Sequence, residues 1–182
     1  DASLLKLCKE NVSATIESAL IRVCEANIYM TYNQLSTGYL NLIRVTKSDN
    51  YVTIIELNSS NTFNSMNEKL AFAMNNVIDS IKHDVENVKC IVLRGIGKHF
   101  CIGAEINWVK ELQRIESLLE ISSRIYYVFK AFASLRELPV PILSAVHGTV
   151  IGGGLCLVAN SDWTASVSDA KFVLGLLHRG LN

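Results

Sequence analysis

Three consecutive glycines, Gly152, Gly153 and Gly154, constrain this chain more than any other feature. They follow a strand-like run at 141–146 and stand directly before the apolar stretch 155–159. Without a Cβ, the backbone at such positions approaches other atoms closely and takes conformations barred to other residues. A helix that begins on the triplet has unpaired N–H groups at its start. Such donors suit an anion or a developing oxyanion. Tight packing of a helix on a strand explains a glycine triplet as well, so the triplet alone leaves both readings open. A second stretch is built the same way. Residues 88–94 have strand character and run into Gly95-Ile96-Gly97-Lys98-His99-Phe100-Cys101-Ile102-Gly103-Ala104-Glu105. This stretch is placed to supply another N–H from around Gly103 and Ala104. Two donors converging on one point would polarise a carbonyl and hold an enolate. Gly95-Ile96-Gly97-Lys98 is not a phosphate-binding P-loop, because its spacing is wrong and the hydroxyl residue is missing.

Composition narrows the class. With 49% hydrophobic and 19% charged residues in 182, the chain has enough apolar surface for one domain with a real core. Net charge is zero and there is no basic run, so nucleic-acid binding has little electrostatic support. Five cysteines (Cys8, Cys24, Cys90, Cys101 and Cys156) form no C-x-x-C pair and no metal-ligand spacing. That pattern predicts reduced thiols, an intracellular, cytoplasmic setting and no metal site. The apolar window 139–160 is long enough to span a membrane. It nevertheless carries Pro141, Ser144, His147, Thr149 and several glycines, so a buried strand–loop–helix is expected instead, with no membrane partner.

Periodicity supplies the elements. Apolar residues at three- and four-residue spacing predict an amphipathic helix within 3–30, and 31–39 reads as a polar connector. Residues 1–39 are therefore an N-terminal helical extension or linker. β-Branched and aromatic runs at 42–47 and 51–58 predict a hairpin. Ser65-Met66-Asn67-Glu68 fits a capping box opening a helix with Met66, Leu70, Ala73 or Met74, Val77 and Ile81 on one face. From Glu105 to about Arg136 the chain reads as helical, with Leu118, Ile121, Ile125, Val128 or Phe129, and Phe132 on one face. Residues 162–167 and 171–174 read as two short strands. Alternating strands and helices predict an α/β class.

Two of these stretches closely resemble the paired signatures of the crotonase (enoyl-CoA hydratase/isomerase) superfamily. They are Gly97-Lys98-His99-Phe100-Cys101-Ile102-Gly103-Ala104-Glu105 and Ala145-Val146-His147-Gly148-Thr149-Val150-Ile151-Gly152-Gly153-Gly154. Upstream, Leu57-Asn58 through Phe63-Asn64-Ser65-Met66-Asn67 is similar to a third family segment. The resemblance covers about 40–182 and implies a crotonase-like spiral of repeated ββα units, with 40–182 as its core portion and a C-terminal part missing. It implies an oxyanion hole made by the N–H groups of Ala104 and Gly153. It implies an acyl-CoA or acyl-carrier-protein thioester as substrate, with coenzyme A or phosphopantetheine as part of that substrate and no separate cofactor. Lys98, Phe100, Gly103, Glu105, Ile106 and Gly152 are then expected at the substrate and CoA surface. Family domains that carry their C-terminal helices form homotrimers.

The side chains depart from the hydratase pattern. The two positions that carry glutamates in the mitochondrial-type hydratase fall at Cys156 and at or near Leu176, and 173–178 contains no carboxylate. His178 is the remaining candidate for proton transfer, since imidazole is readily tuned near neutral pH, although a loop histidine beside Arg179 explains it too. His147 is expected to be structural, Cys156 a buried small residue, and Glu105 a helix-start cap or ion-pair partner. Lys98, His99 and Lys110 either meet phosphates or form an ordinary solvated face. The run 170–182 is similar to a segment of crotonase-like proteins from polyketide synthase clusters. That likeness implies a lyase that dehydrates or decarboxylates acyl groups in polyketide β-branching. The alternatives are an enoyl-CoA hydratase/isomerase of acyl-CoA metabolism and a non-catalytic thioester-binding scaffold.

Overall fold

Strands β1 (Ile43–Lys47) and β2 (Val52–Leu57) form the hairpin the sequence predicts, with Ile43 opposite Leu57 and Lys47 opposite Thr53. The computed structural model describes residues 40–48 and 51–175, and all of them fall in one compact unit. The predicted helix within 3–30, the connector 31–39, Leu176 and His178 lie outside the described residues.

From β2 onward the main sheet is parallel. β3 (Cys90–Gly95) pairs with β2, β4 (Ile142–Val146) with β3, and β6 (Trp163–Ser166) with β4, giving the order β1-β2-β3-β4-β6. Parallel neighbours need crossovers, and helices supply them. Helix α1 (Glu68–His83) joins β2 to β3; α2 (Ile106–Leu112) and α3 (Leu118–Ala133) join β3 to β4; α4 (Gly153–Ala159) lies between β4 and β6.

A second, smaller layer explains the repeat. β5 (Thr149–Ile151) runs parallel to β7 (Lys171–Val173), and single-residue parallel bridges join Cys101 to Val150 and Met66 to Ala104. Each turn of the chain thus gives one strand to the main sheet and then a short extended piece to this layer. That is the spiral of ββα units expected for a crotonase fold. The recurrence is not visible as sequence similarity, because each second-layer piece is only one to three residues long.

The core lies where α1 and α3 meet the main sheet. Leu70, Ala73, Met74, Ile78 and Ile81 of α1, Val128 and Phe132 of α3, and Ile55, Leu57, Ile91 and Leu93 of the strands are all buried in it. The sheet side is rich in β-branched residues, as expected of strands covered on a face.

Three local readings are corrected. The cap of α1 is Asn67, whose Oδ1 accepts from Leu70 N–H at 2.8 Å, not Ser65. Met66 N–H donates to the Gly103 carbonyl and Met66 C=O accepts from Glu105 N–H, so the chain is still extended there and the helix starts after it. The helix expected from Glu105 to Arg136 is two helices, because Ser117 caps a new one through Glu120 N–H. Leu118 then sits at the helix start, 79% exposed, and the buried face of α3 is carried by Val128, Ala131 and Phe132.

Candidate functional site

The two glycine-bearing loops meet. A Cβ built on Gly103 would lie 2.7 Å from the Ile151 carbonyl oxygen and 3.4 Å from the Gly153 nitrogen. One built on Gly153 would lie 3.8 Å from Gly103 Cα and 2.5 Å from Met66 Sδ. Gly103 also has φ +83°, in the left-handed region that favours glycine. The loops touch because no side chain stands between them.

The bonding around this contact leaves the Ala104 and Gly153 donors unused, along with the next helix-start donor, Gly154. Gly103 C=O and Glu105 N–H both bind Met66, at 2.7 and 2.9 Å, so the Ala104 N–H between them faces the opposite edge of the chain. On the other loop, Ile151 N–H donates to Cys101 C=O at 3.1 Å and Gly152 N–H to Val173 C=O at 3.1 Å. Gly152 has φ +50° and turns the chain into α4, and Gly153 follows as its first residue. Among the described residues, neither the Ala104 nor the Gly153 N–H has an acceptor. The Gly153 N–H is open because the first N–H groups of a helix have no partner within it, and the Ala104 N–H belongs to a half-buried residue, so both are accessible in principle to an acceptor from outside the chain.

Asn64 holds the first loop in place. It is fully buried, and its Nδ2 donates to the carbonyls of Ile96, His99 and Phe100 at 2.9, 2.9 and 3.1 Å, while Oδ1 accepts from Ser59 N–H at 2.9 Å. Phe63 and Asn64 both have positive φ, at +54° and +57°. Asparagine tolerates that region better than most side chains and brings both a donor and an acceptor. Sequence reasoning quoted Asn64 in a motif but assigned it no role. Its signal is an amide in the polar stretch between β2 and α1, and such amides are common in loops of every kind.

The remaining expected residues separate into groups. Lys98 and Ile106 are exposed. Gly103 is part of the contact itself, with Ile151 and Gly153 opposite it, while Gly152 makes the turn into α4. Glu105 is half-buried and accepts from Asn67 Nδ2; its side chain makes no capping bond to α2, and among the described residues it has no ion-pair partner. Phe100 is corrected: its ring is fully buried in the core and has no face to offer a ligand. Cys156 is corrected the other way, because it stands exposed on α4. His99 turns inward, Nδ1 accepting from Thr149 N–H at 3.1 Å, rather than outward to phosphates. Desolvation holds His99 below the usual imidazole range, with Lys98 and His147 adding to it. Burial pushes the Cys101 thiol up to about 12, which makes it an inert core group rather than a nucleophile. Among the described residues, no three His, Cys, Asp or Glu side chains are grouped to hold a metal ion, and no helix is long and apolar enough to cross a membrane.

Residues 47–181 match the family described as Enoyl-CoA hydratase/isomerase. The chain belongs to that family. A short-chain-enoyl-CoA hydratase of Clostridium acetobutylicum is 30% identical over 131 residues, covering 70% of this chain and 48% of the relative. A mitochondrial Delta(3,5)-Delta(2,4)-dienoyl-CoA isomerase of Dictyostelium discoideum is 27% identical over 161 residues, 81% of this chain and 55% of its own length. Among solved structures, an enoyl-CoA hydratase from Mycobacterium smegmatis superposes with TM-score 0.66 at 28% identity, covering 77% of this chain and 53% of that one. An enoyl-CoA hydratase from Shewanella pealeana gives TM-score 0.72 at 24% identity, over 80% and 56%, and shows the crotonase fold. The chain spans about half the length of the relatives it matches.

Proposed function

We propose that this member of the enoyl-CoA hydratase/isomerase family binds an acyl thioester and stabilises its enolate with the Ala104 and Gly153 N–H groups. The observation that carries this reading is the pair of vacant donors on touching loops. A thioester carbonyl placed between them accepts both, and the bonds strengthen as charge moves onto oxygen. Each such donor is worth about 10²–10³ in turnover in a preorganised site. In this reading exposed Lys98 meets the phosphates of coenzyme A and exposed Ile106 the apolar part of the ligand.

The finer reading is loss of a group from the acyl chain, by decarboxylation or dehydration, on CoA or on an acyl carrier protein. Cys156 supports it. It stands exposed on α4 at the position where the hydratase resemblance places a water-activating glutamate, and it brings no carboxylate there. Decarboxylation needs the enolate held and one proton delivered afterward. His178 is the donor in this reading. Hydration or isomerisation is the second reading, favoured by the hydratase and isomerase names of the relatives.

Mass spectrometry of crotonyl and 3-methylglutaconyl thioesters, each on CoA and on carrier protein, distinguishes these. Loss of CO2 from the 3-methylglutaconyl group supports the lyase. Gain of water by the crotonyl group supports the second reading. No change in mass on any carrier and no double-bond shift by proton NMR, with binding retained, would leave a thioester-binding scaffold and refute both.

A further inference from the structure

Two histidines tie the loops that carry the vacant N–H groups, and they do so in opposite senses. His99 belongs to the first loop and accepts at Nδ1 from Thr149 N–H of the second, at 3.1 Å. His147 belongs to the second loop and sets Nε2 2.8 Å from the Gly97 carbonyl of the first. The backbone bond from Phe100 N–H to His147 C=O, 3.1 Å long, lies between them. A backbone N–H only donates, so His99 Nδ1 is an unprotonated acceptor and its ring proton is on Nε2. A carbonyl only accepts, so His147 Nε2 carries a proton. The Phe63 ring meets His99 edge-on with centroids 5.3 Å apart, which fixes the imidazole plane. The fit is close, since a Cβ on Gly148 would come within 2.1 Å of the Lys98 carbonyl oxygen and 3.0 Å of His99 Nδ1.

We infer that His99 is a positioning residue for the oxyanion donors: it holds Thr149, the first residue of the strand that leads to Gly153, in register with the loop that carries Ala104, and its protonation releases that hold. The role rests on the proposed reading of Ala104 and Gly153. Strand β5 has three residues, and Ile151 N–H to Cys101 C=O ties its far end. His99 ties the near end to the first loop, while β7 holds the other edge of the strand through the Thr149–Lys171 pairing and the Lys171 N–H bond to Gly148 C=O, so losing His99 loosens the strand only on the side that faces Ala104. In acid the imidazolium carries a proton on both nitrogens, and two donors then face each other at His99 and Thr149. The His147 bond survives, because Nε2–H is present in both forms. The charged or titratable groups acting on His99 are Lys98 and His147, and both disfavour its cation along with desolvation. The sign follows. A lowered native value means that the hold is complete above the ordinary imidazole value of about 6.5 and is lost as pH falls below it through the native value.

The test combines ring spectroscopy with kinetics. Long-range ¹⁵N–¹H correlation should show His99 as the Nε2–H tautomer at pH 8, titrating below the ordinary value, with Thr149 amide exchange accelerating over the same range. His99→Asn keeps an acceptor at the Nδ1 position but does not titrate. It should retain turnover of the active thioester at pH 8 and abolish the acid limb of kcat/KM that the parent shows below about 6.5. His99→Leu has no acceptor and should lose about tenfold at pH 8, the equivalent of one hydrogen bond. An Nδ1–H tautomer at pH 8, or an unchanged acid limb in His99→Asn, overturns the proposal. If ring and amide data come out as expected but the parent turns over no thioester, the enolate reading has failed and the catalytic role of the hold fails with it.

Discussion

Replacing Asn64 with aspartate tests how the first loop is held. The carboxyl has the shape of the amide and keeps an acceptor for Ser59 N–H, but it loses both hydrogens of Nδ2. Those two hydrogens serve three carbonyls, of Ile96, His99 and Phe100, so about two bonds are removed rather than three. Each costs about 1 kcal/mol as a net bond, and about 1–3 kcal/mol when an acceptor is left buried and unpaired. The site is fully buried, so the expected loss is about 3–5 kcal/mol at pH 8, a large share of the roughly 5–15 kcal/mol that holds a typical domain. A negative charge facing three carbonyl oxygens disfavours ionisation, so the native pKa of the introduced carboxyl is raised above its unfolded value of about 3.9. The neutral acid returns one hydrogen, and stability is therefore regained as pH falls. The assay is urea unfolding of Asn64→Asp and the parent at pH 8 and pH 5, taking the difference at each pH. A loss below about 1 kcal/mol at pH 8 would refute the role of Asn64 as the clamp of the loop. A loss equal at both pH values would refute the three-carbonyl environment.

Two further outcomes follow from the geometry. Gly153→Ala and Gly153→Pro place a Cβ against Met66 alike, but the proline variant alone removes the N–H. On the active thioester, the proline variant should turn over about 10²–10³-fold less than the alanine variant, and equal rates would end the oxyanion assignment. Site-resolved mass spectrometry after brief alkylation of the native protein at pH 8 should find Cys156 modified, with Cys90 and Cys101 modified only after unfolding. Rapid native labelling of Cys101 would contradict a thiol that burial pushes up to about 12.

The elements legible in the sequence were those whose signal is local. The hairpin at 42–58 follows from β-branched residues flanking a turn, and the strand preceding each signature follows from a short apolar run. The face of α1 was read nearly correctly, with Ile78 buried more deeply than Val77. Readings that depended on neighbours distant in sequence went astray. Ser65 and Glu68 have the spacing of a capping box, but Gly103 and Glu105 hold Met66 extended and move the cap to Asn67. Phe100 belongs to a signature and so was expected at the ligand, yet its ring points into the core. Cys156 follows a buried helix start and was expected inside, yet it lies on the open side of α4.

The glycine triplet, the Gly103-Ala104 pair and their order along the chain were enough to name the family and to anticipate two backbone donors, because glycine spacing restricts where a backbone can turn and approach. Whether the two loops touch, and whether their N–H groups are already occupied, is not a property of either segment. It depends on β2, β3 and β4 lying side by side, which brings Met66, Cys101 and Val150 into one short layer and consumes the neighbouring hydrogen bonds while sparing Ala104 and Gly153. The roles of Asn64 and His99 were decided at the same level. Each side chain is bound to backbone groups 32 to 50 residues away, and no local pattern records a partner at that distance.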